Sequence, residues 1–106
     1  MAIDTACSSS LTAIHLAMES LRNGDNECAI AGVNLLLNTD HFKLLSDLQM
    51  TSTGTQCKPF SEYADGFLVS EGVGAVVLRP LDKAIENGDH IYGIIKGSAV
   101  NRWKNA

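Results

Sequence analysis

"MAIDTACSSSLTAIHLAMESL" (residues 1–21) seats a cysteine where a short apolar stretch gives way to a helical pattern. Ala2 to Asp4 read as the end of a strand, and Thr5-Ala6-Cys7 as a junction. From Ser8 to about Asn23 the spacing predicts a helix, closed by Gly24. Leu11, Ile14, Met18 and Leu21 share one face, while Thr12, His15, Glu19 and Arg22 make a separate polar stripe. Ala13, Leu16 and Ala17 fill most of the remainder, so the helix is expected to be largely buried. A thiol in the first turn of such a helix meets unpaired N–H groups and a partial positive charge. Both favour its anionic, nucleophilic form, and the N–H groups are ready donors to an oxyanion. Cys7 is therefore a candidate acyl-accepting nucleophile. A small apolar residue packed at a tight junction is the other reading, and placement alone does not choose between them.

Further along, "ECAIAGVNLLL" (Glu27 to Leu37) is a nearly continuous apolar run, the pattern of a strand covered on both faces. "NTDHFKLLSDLQM" predicts a short helix carrying Phe42, Leu45 and Leu48, with Thr39 or Asp40 as its N-cap. Turn formers fill Thr51 to about Ala64. Gly72 to Leu81 reads as a second buried strand, "LDKAIENGD" as a short amphipathic helix closed by Asn87-Gly88, and "IYGIIKGSAV" as a further strand. Strands alternating with helices imply an α/β layered fold.

The 106 residues allow one domain or less, and 45% hydrophobic with 19% charged residues is the composition of a globular chain. A net charge of −4 without a basic stripe argues against nucleic acid as the main partner. No apolar run is long enough to span a bilayer, and the N-terminus lacks the basic and apolar regions of a signal peptide, so no membrane role and a cytoplasmic setting are expected. Cys7, Cys28 and Cys57 show neither a CxxC pair nor Cys/His ligand spacing; neither a disulfide framework nor a metal site is expected.

Other chemistry-bearing residues read as structural. Cys28 falls inside a buried strand and is expected in the core, and Cys57 lies in a loop beside Lys58. Asp4 and Asp65 suit turns or caps. Glu71, inside an apolar stretch, needs a hydrogen-bond or ion-pair partner. His15, His41 and His90 read as surface or capping residues.

"DTACSSSL" followed by a small-residue helix resembles the nucleophile segment of β-ketoacyl synthases, the condensing enzymes of fatty acid and polyketide assembly. "AIAGVNLLL", "CKPFSEYADGFLVSEGVGAVVLRPL" and "AIENGDHIYGIIKGSAVN" resemble later segments of the same family in the same order. The wording is most similar to synthase domains of modular polyketide synthases. The resemblance covers Met1 to about Asn101 and implies part of a thiolase-like layered α-β-α-β-α fold, with residues 1–106 forming a partial synthase domain. It implies that Cys7 takes an acyl chain from the phosphopantetheine arm of an acyl carrier protein, with its backbone N–H in the oxyanion hole. A decarboxylated malonyl unit then attacks the thioester. Phe60, in "CKPF", matches a family position near the acyl channel. No tightly bound cofactor is implied, and the parent enzyme is expected to be a homodimer.

The pattern also departs from the family. Its two catalytic histidines stand in His-Gly-Thr and Asn-His-x-Gly strings, and neither occurs here. Met1 falls where family members have the interior of a strand, "RWKNA" replaces a polar turn after "VN", and Ser70 stands where many members have glycine. The expectation is an interior piece truncated at both ends, which exposes apolar surface and cannot condense by itself. A non-catalytic gene fragment, or an association partner of a full-length synthase, is the alternative. A cysteine hydrolase or redox thiol on another α/β fold would need a histidine partner or a resolving cysteine, for which there is no motif.

Overall fold

A computed structural model describes residues 1–102. Along them run one turn of 3-10 helix (Ala6–Ser8), helix α1 (Ser9–Arg22), strand β1 (Ala29–Leu35), helix α2 (Thr39–Asp47), strand β2 (Gly72–Leu78) and helix α3 (Leu81–Glu86). β1 and β2 pair in a two-stranded sheet. The expected alternation holds from α1 to α3, but the strands expected at Ala2–Asp4 and across "IYGIIKGSAV" are absent. A strand persists only where its N–H and C=O groups find a ladder, and neither segment has one among the described residues. The divergent tail lies, from Trp103 on, outside the described residues.

The chain divides into two compact units, one made of Met1–Val33 with the segment from Gly74 onward, the other of Asn34–Val73. In the first unit Met18 of α1, Ala31 of β1 and Ala84 of α3 are buried. Between them and the later segment lies an open apolar trough of about 1010 Å³, lined by Ile14, Met18, Leu21, Val76, Ala84 and Ile91 among others. The expectation of a largely buried α1 is therefore corrected: Ile14 and Leu21 are half-buried and Leu11 is exposed. The two strands expected to be covered on both faces are mostly exposed, and Cys28 is exposed rather than in the core. Among the described residues, two strands and three helices supply too little surface to cover both sides of a sheet. Arg79 Nη1 donates to Asp89 Oδ2 at 2.9 Å, and that hydrogen bond holds the guanidinium above its ordinary pKa.

All three helices stop in the same way. After α1, the Gly24 N–H donates to the Leu21 carbonyl at 3.2 Å and the Asp25 N–H to that of Ser20 at 3.0 Å. After α3, Gly88 and Asp89 repeat the pair on Ile85 and Ala84, and after α2, Gln49 and Met50 repeat it on Ser46 and Leu45. This double bond pattern needs a left-handed residue just past the cap. Gly24 (φ 77°), Gly88 (φ 67°) and Gln49 (φ 56°) occupy that place.

In the second unit α2 starts one residue earlier than expected. Asn38, in extended conformation, is its N-cap, and its side-chain oxygen accepts the His41 N–H at 2.7 Å. Neither Thr39 nor Asp40 caps; both are helical, and Asp40 places its charge in the first turn, where the dipole favours it. The loop after α2 is closed by a parallel bridge between Thr51 and Phe67. Asp65 accepts from Ser52 Oγ at 2.6 Å, a contact between side chains 13 positions apart rather than the turn or cap expected of it, and Cys57 Sγ accepts the Leu68 N–H at 3.2 Å. Glu71 finds its expected partner in the Leu37 N–H, at 2.8 Å, although its side chain is exposed rather than buried. No described helix is long and apolar enough to cross a membrane.

Candidate active site

Cys7 sits in the middle of the 3-10 turn that runs directly into α1, and it is exposed. The first N–H groups of a helix have no carbonyl a turn earlier to pair with. Here the neighbours' N–H groups are taken by side chains. The Thr5 N–H donates to Ser9 Oγ at 2.9 Å and the Ala6 N–H to Asp4 Oδ1 at 3.1 Å, a bond two residues on that makes a turn at Asp4. Among the described residues no side chain takes the Cys7 N–H, which stands beside its own sulfur just ahead of the positive end of α1.

Ala6, immediately before the cysteine, is at φ 58°. A left-handed alanine costs roughly 1–2 kcal/mol and persists only where its surroundings hold it. They hold it from both sides. Its N–H is bound to Asp4, and its carbonyl accepts from Ser9 Oγ at 2.6 Å and from the Ser9 N–H. A sharp backbone reversal before the helix therefore lifts Cys7 onto the surface.

A row of hydroxyls backs this turn. Thr5 Oγ1 lies 2.8 Å from Ser8 Oγ and 3.3 Å from Thr12 Oγ1, and Ser8 Oγ donates to the Thr5 carbonyl at 3.0 Å. The sequence reading missed this group. Its signal was present: Thr5, Ser8, Ser9 and Thr12 recur at i, i+3, i+4 and i+7, the spacing of one helix face.

Of the other residues, Phe60 belongs to the second unit, where it is 107% exposed with φ 62°. Cys7 belongs to the first. His15, half-buried on α1, lies more than two turns beyond Cys7, roughly 12 Å by helical rise. Its Nδ1 is 2.7 Å from Ser98 Oγ, a tie to the segment after α3. His90 packs edge-on against Tyr92, and the His41 N–H is taken by Asn38. The rings of His15 and His90 thus have structural partners, whereas at His41 it is the backbone N–H that is bonded. The apolar trough of the first unit is not lined by Cys7.

The arrangement is an accessible thiol, an adjacent amide that no side chain takes and a fixed turn, which suits attack on a carbonyl and stabilisation of the resulting oxyanion. The family model described as "Beta-ketoacyl synthase, N-terminal domain" matches residues 1–84. The chain is 59% identical to the polyketide synthase PksM of Bacillus subtilis over 102 residues, which is 95% of this chain and 2% of that protein. It is 52% identical to PksL of the same organism over 102 residues, again 95% of this chain and 2% of that one. A cysteine-to-serine variant of the ketosynthase from module 6 of the bacillaene synthase from Bacillus subtilis 168 superposes with a TM-score of 0.87 at 44% identity, over 93% of this chain and 18% of that one. The chain thus spans a small part of the length of the proteins it matches.

Proposed function

The chain belongs to the β-ketoacyl synthase family and shares the thiolase-like fold of its ketosynthase neighbours, and from that premise we propose that Cys7 is the acyl-accepting nucleophile of a polyketide-type ketosynthase. The observation that carries this reading is the seat of the thiol: exposed, in the first turn leading into α1, directly after a left-handed Ala6.

The acyl donor is a thioester on the phosphopantetheine arm of an acyl carrier protein. Cys7 Sγ, having lost its proton, attacks the thioester carbonyl. The Cys7 N–H donates to the oxygen as it gains charge, and the helix end favours that charge. The carbon–sulfur bond to the arm then breaks, and the carrier's thiol leaves with a proton. Cys7 is left as an acyl thioester. In the complete reaction a malonyl thioester loses carbon dioxide, and its enolate carbon attacks the Cys7 thioester. The new carbon–carbon bond forms as the bond to Cys7 Sγ breaks, giving a β-ketoacyl product of polyketide or fatty acid assembly.

This chain by itself carries the first half only. His15, His41 and His90 are its three histidines, and none stands in a His-Gly-Thr or Asn-His-x-Gly string, so the groups that assist decarboxylation and hold the enolate must come from elsewhere. Phe60, on its exposed loop, is the residue we assign to the acyl path. The parent enzyme acts as a cytoplasmic homodimer with a carrier protein as its partner.

The test is acylation. The chain is incubated with an acyl N-acetylcysteamine thioester and the adduct mapped by mass spectrometry. All three cysteines are exposed, so Cys28 and Cys57 serve as controls within the same molecule. Selective acylation of Cys7, lost in Cys7→Ala, supports the reading. Equal labelling of the three thiols overturns it.

A further inference from the structure

We propose that Thr5 is a positioning residue for acyl transfer, which fixes the Ala6–Cys7 peptide so that its N–H faces the developing oxyanion; the inference rests on Cys7 being the nucleophile. Thr5 is held at all three of its polar groups. Its N–H donates to Ser9 Oγ at 2.9 Å, its carbonyl accepts from Ser8 Oγ at 3.0 Å, and its hydroxyl lies between Ser8 Oγ at 2.8 Å and Thr12 Oγ1 at 3.3 Å.

Proton counting sets the direction of this chain. A serine hydroxyl has one proton to give. Ser8 gives its proton to the Thr5 carbonyl, so between the two hydroxyls Thr5 is the donor and Ser8 the acceptor. Thr5 Oγ1 is then left to accept from Thr12. The run Thr12 to Thr5 to Ser8 to the Thr5 carbonyl is a directed series in which each bond polarises the next. It ends on the peptide that precedes Ala6. On the other side of Ala6, Ser9 Oγ holds the carbonyl of the Ala6–Cys7 peptide at 2.6 Å. Since that carbonyl and the Cys7 N–H belong to one planar unit, fixing one aims the other.

This role separates two reactions of the same sulfur. Acylation passes through a tetrahedral oxyanion and needs the aimed N–H. Alkylation by iodoacetamide displaces iodide at a saturated carbon, forms no oxyanion and needs only an accessible thiol. Loss of the Thr5 hydroxyl therefore slows acylation and spares alkylation.

The experiment measures both rate constants at Cys7, by mass spectrometry of the intact chain, in wild type, Thr5→Val and Thr5→Ser. Cys28 and Cys57 are followed in parallel. In Thr5→Val, acylation at Cys7 is expected to fall about tenfold, less than the roughly hundredfold that a misplacement of 1 Å can cost. Alkylation stays unchanged, and Thr5→Ser, which keeps the hydroxyl, recovers most of the loss. Thr12→Val, which removes only the far end of the run, gives a smaller loss with the same selectivity. A parallel fall of acylation and alkylation in Thr5→Val means a structural role and overturns the inference. Unchanged, Cys7-selective acylation in Thr5→Val overturns it while leaving the nucleophile assignment intact. Wild-type acylation spread equally over the three cysteines overturns both.

Discussion

The Leu37 N–H donates to Glu71 Oε1 at 2.8 Å, joining the chain just past β1 to the residue immediately before β2. A carboxylate accepting a backbone N–H makes a stronger bond than a neutral acceptor does. Bonds of this kind contribute about 1.5–3 kcal/mol when sheltered, and solvent around this exposed side chain lowers that to about 1 kcal/mol. Glu71→Ala should therefore speed hydrogen exchange at the Leu37 amide by roughly five- to tenfold. Glu71→Gln, which keeps the oxygen but not the charge, should retain much of the protection. Equal exchange in wild type and Glu71→Ala would show that the contact does not hold the two segments together.

Gln49 supplies the second prediction. It sits at φ 56° in the place that Gly24 and Gly88 fill after the other helices. A side chain at that angle crowds the following carbonyl, and glycine does not. Part of the gain from glycine is returned as extra freedom of the unfolded chain. Gln49→Gly should stabilise the end of α2 by about 0.5–1 kcal/mol, read as a two- to fivefold slowing of exchange at the Met50 amide. Faster exchange there would mean that the glutamine side chain contributes something the left-handed strain hides.

These two sites also mark what could be read from the residues alone. Helix periodicity and the Gly24 and Asn87-Gly88 stops were legible because each depends on neighbours within a turn or two. The need of Glu71 for a partner followed from a carboxylate in an apolar run, although nothing local named Leu37, 34 positions away. By residue type Asn38, Thr39 and Asp40 cap equally well. The choice among them is made by the extended backbone at Asn38. Burial was the least legible property. An apolar run says that a strand can be covered, while coverage depends on what packs against it, and here Val73 of β2 is 86% exposed. At the candidate site the cysteine was readable and its support was not. The left-handed angle of Ala6 has no signature in an alanine, whereas the hydroxyl spacing behind it was visible.

Gly66 has φ 130°, and a Cβ there would stand 2.6 Å from the Thr51 carbonyl carbon and 2.7 Å from the Ser52 nitrogen. Both are backbone atoms that cannot swing aside. The neighbouring bridge depends on the Ser52 N–H bond to the Phe67 carbonyl, at 2.9 Å, and the Phe67 N–H bond to that of Met50, at 3.1 Å. Gly66→Ala should break this closure, with loss of amide protection at Ser52 and Phe67 together. Gly24 provides the contrast. A Cβ there meets nothing within 4 Å, so Gly24→Ala carries conformational strain alone, about 1 kcal/mol, confined to the end of α1. Retained protection at Ser52 and Phe67 in Gly66→Ala would refute the steric account.

The exposed strands lead to the last prediction, that this chain associates with copies of itself. Val73 and Val77 lie on the same face of β2 by the two-residue alternation and are 86% and 69% exposed, while Val76 on the opposite face is 43% exposed. Ile30 of β1 is 73% exposed and Tyr92, beyond α3, is 97% exposed. Covering a single valine or isoleucine contributes about 1.5–3 kcal/mol. Association costs roughly 4–15 kcal/mol in lost translational and rotational freedom, so burying only a few of these side chains suffices to offset it. Sedimentation should show species above the monomer mass that grow with concentration, together with binding of a hydrophobic dye. Val73→Lys with Val77→Lys should reduce both, because charges on one face of an exposed strand oppose edge and face pairing. A single monomeric species at every concentration, with no dye bound and one cooperative unfolding transition, would mean that these side chains are covered within the chain in solution.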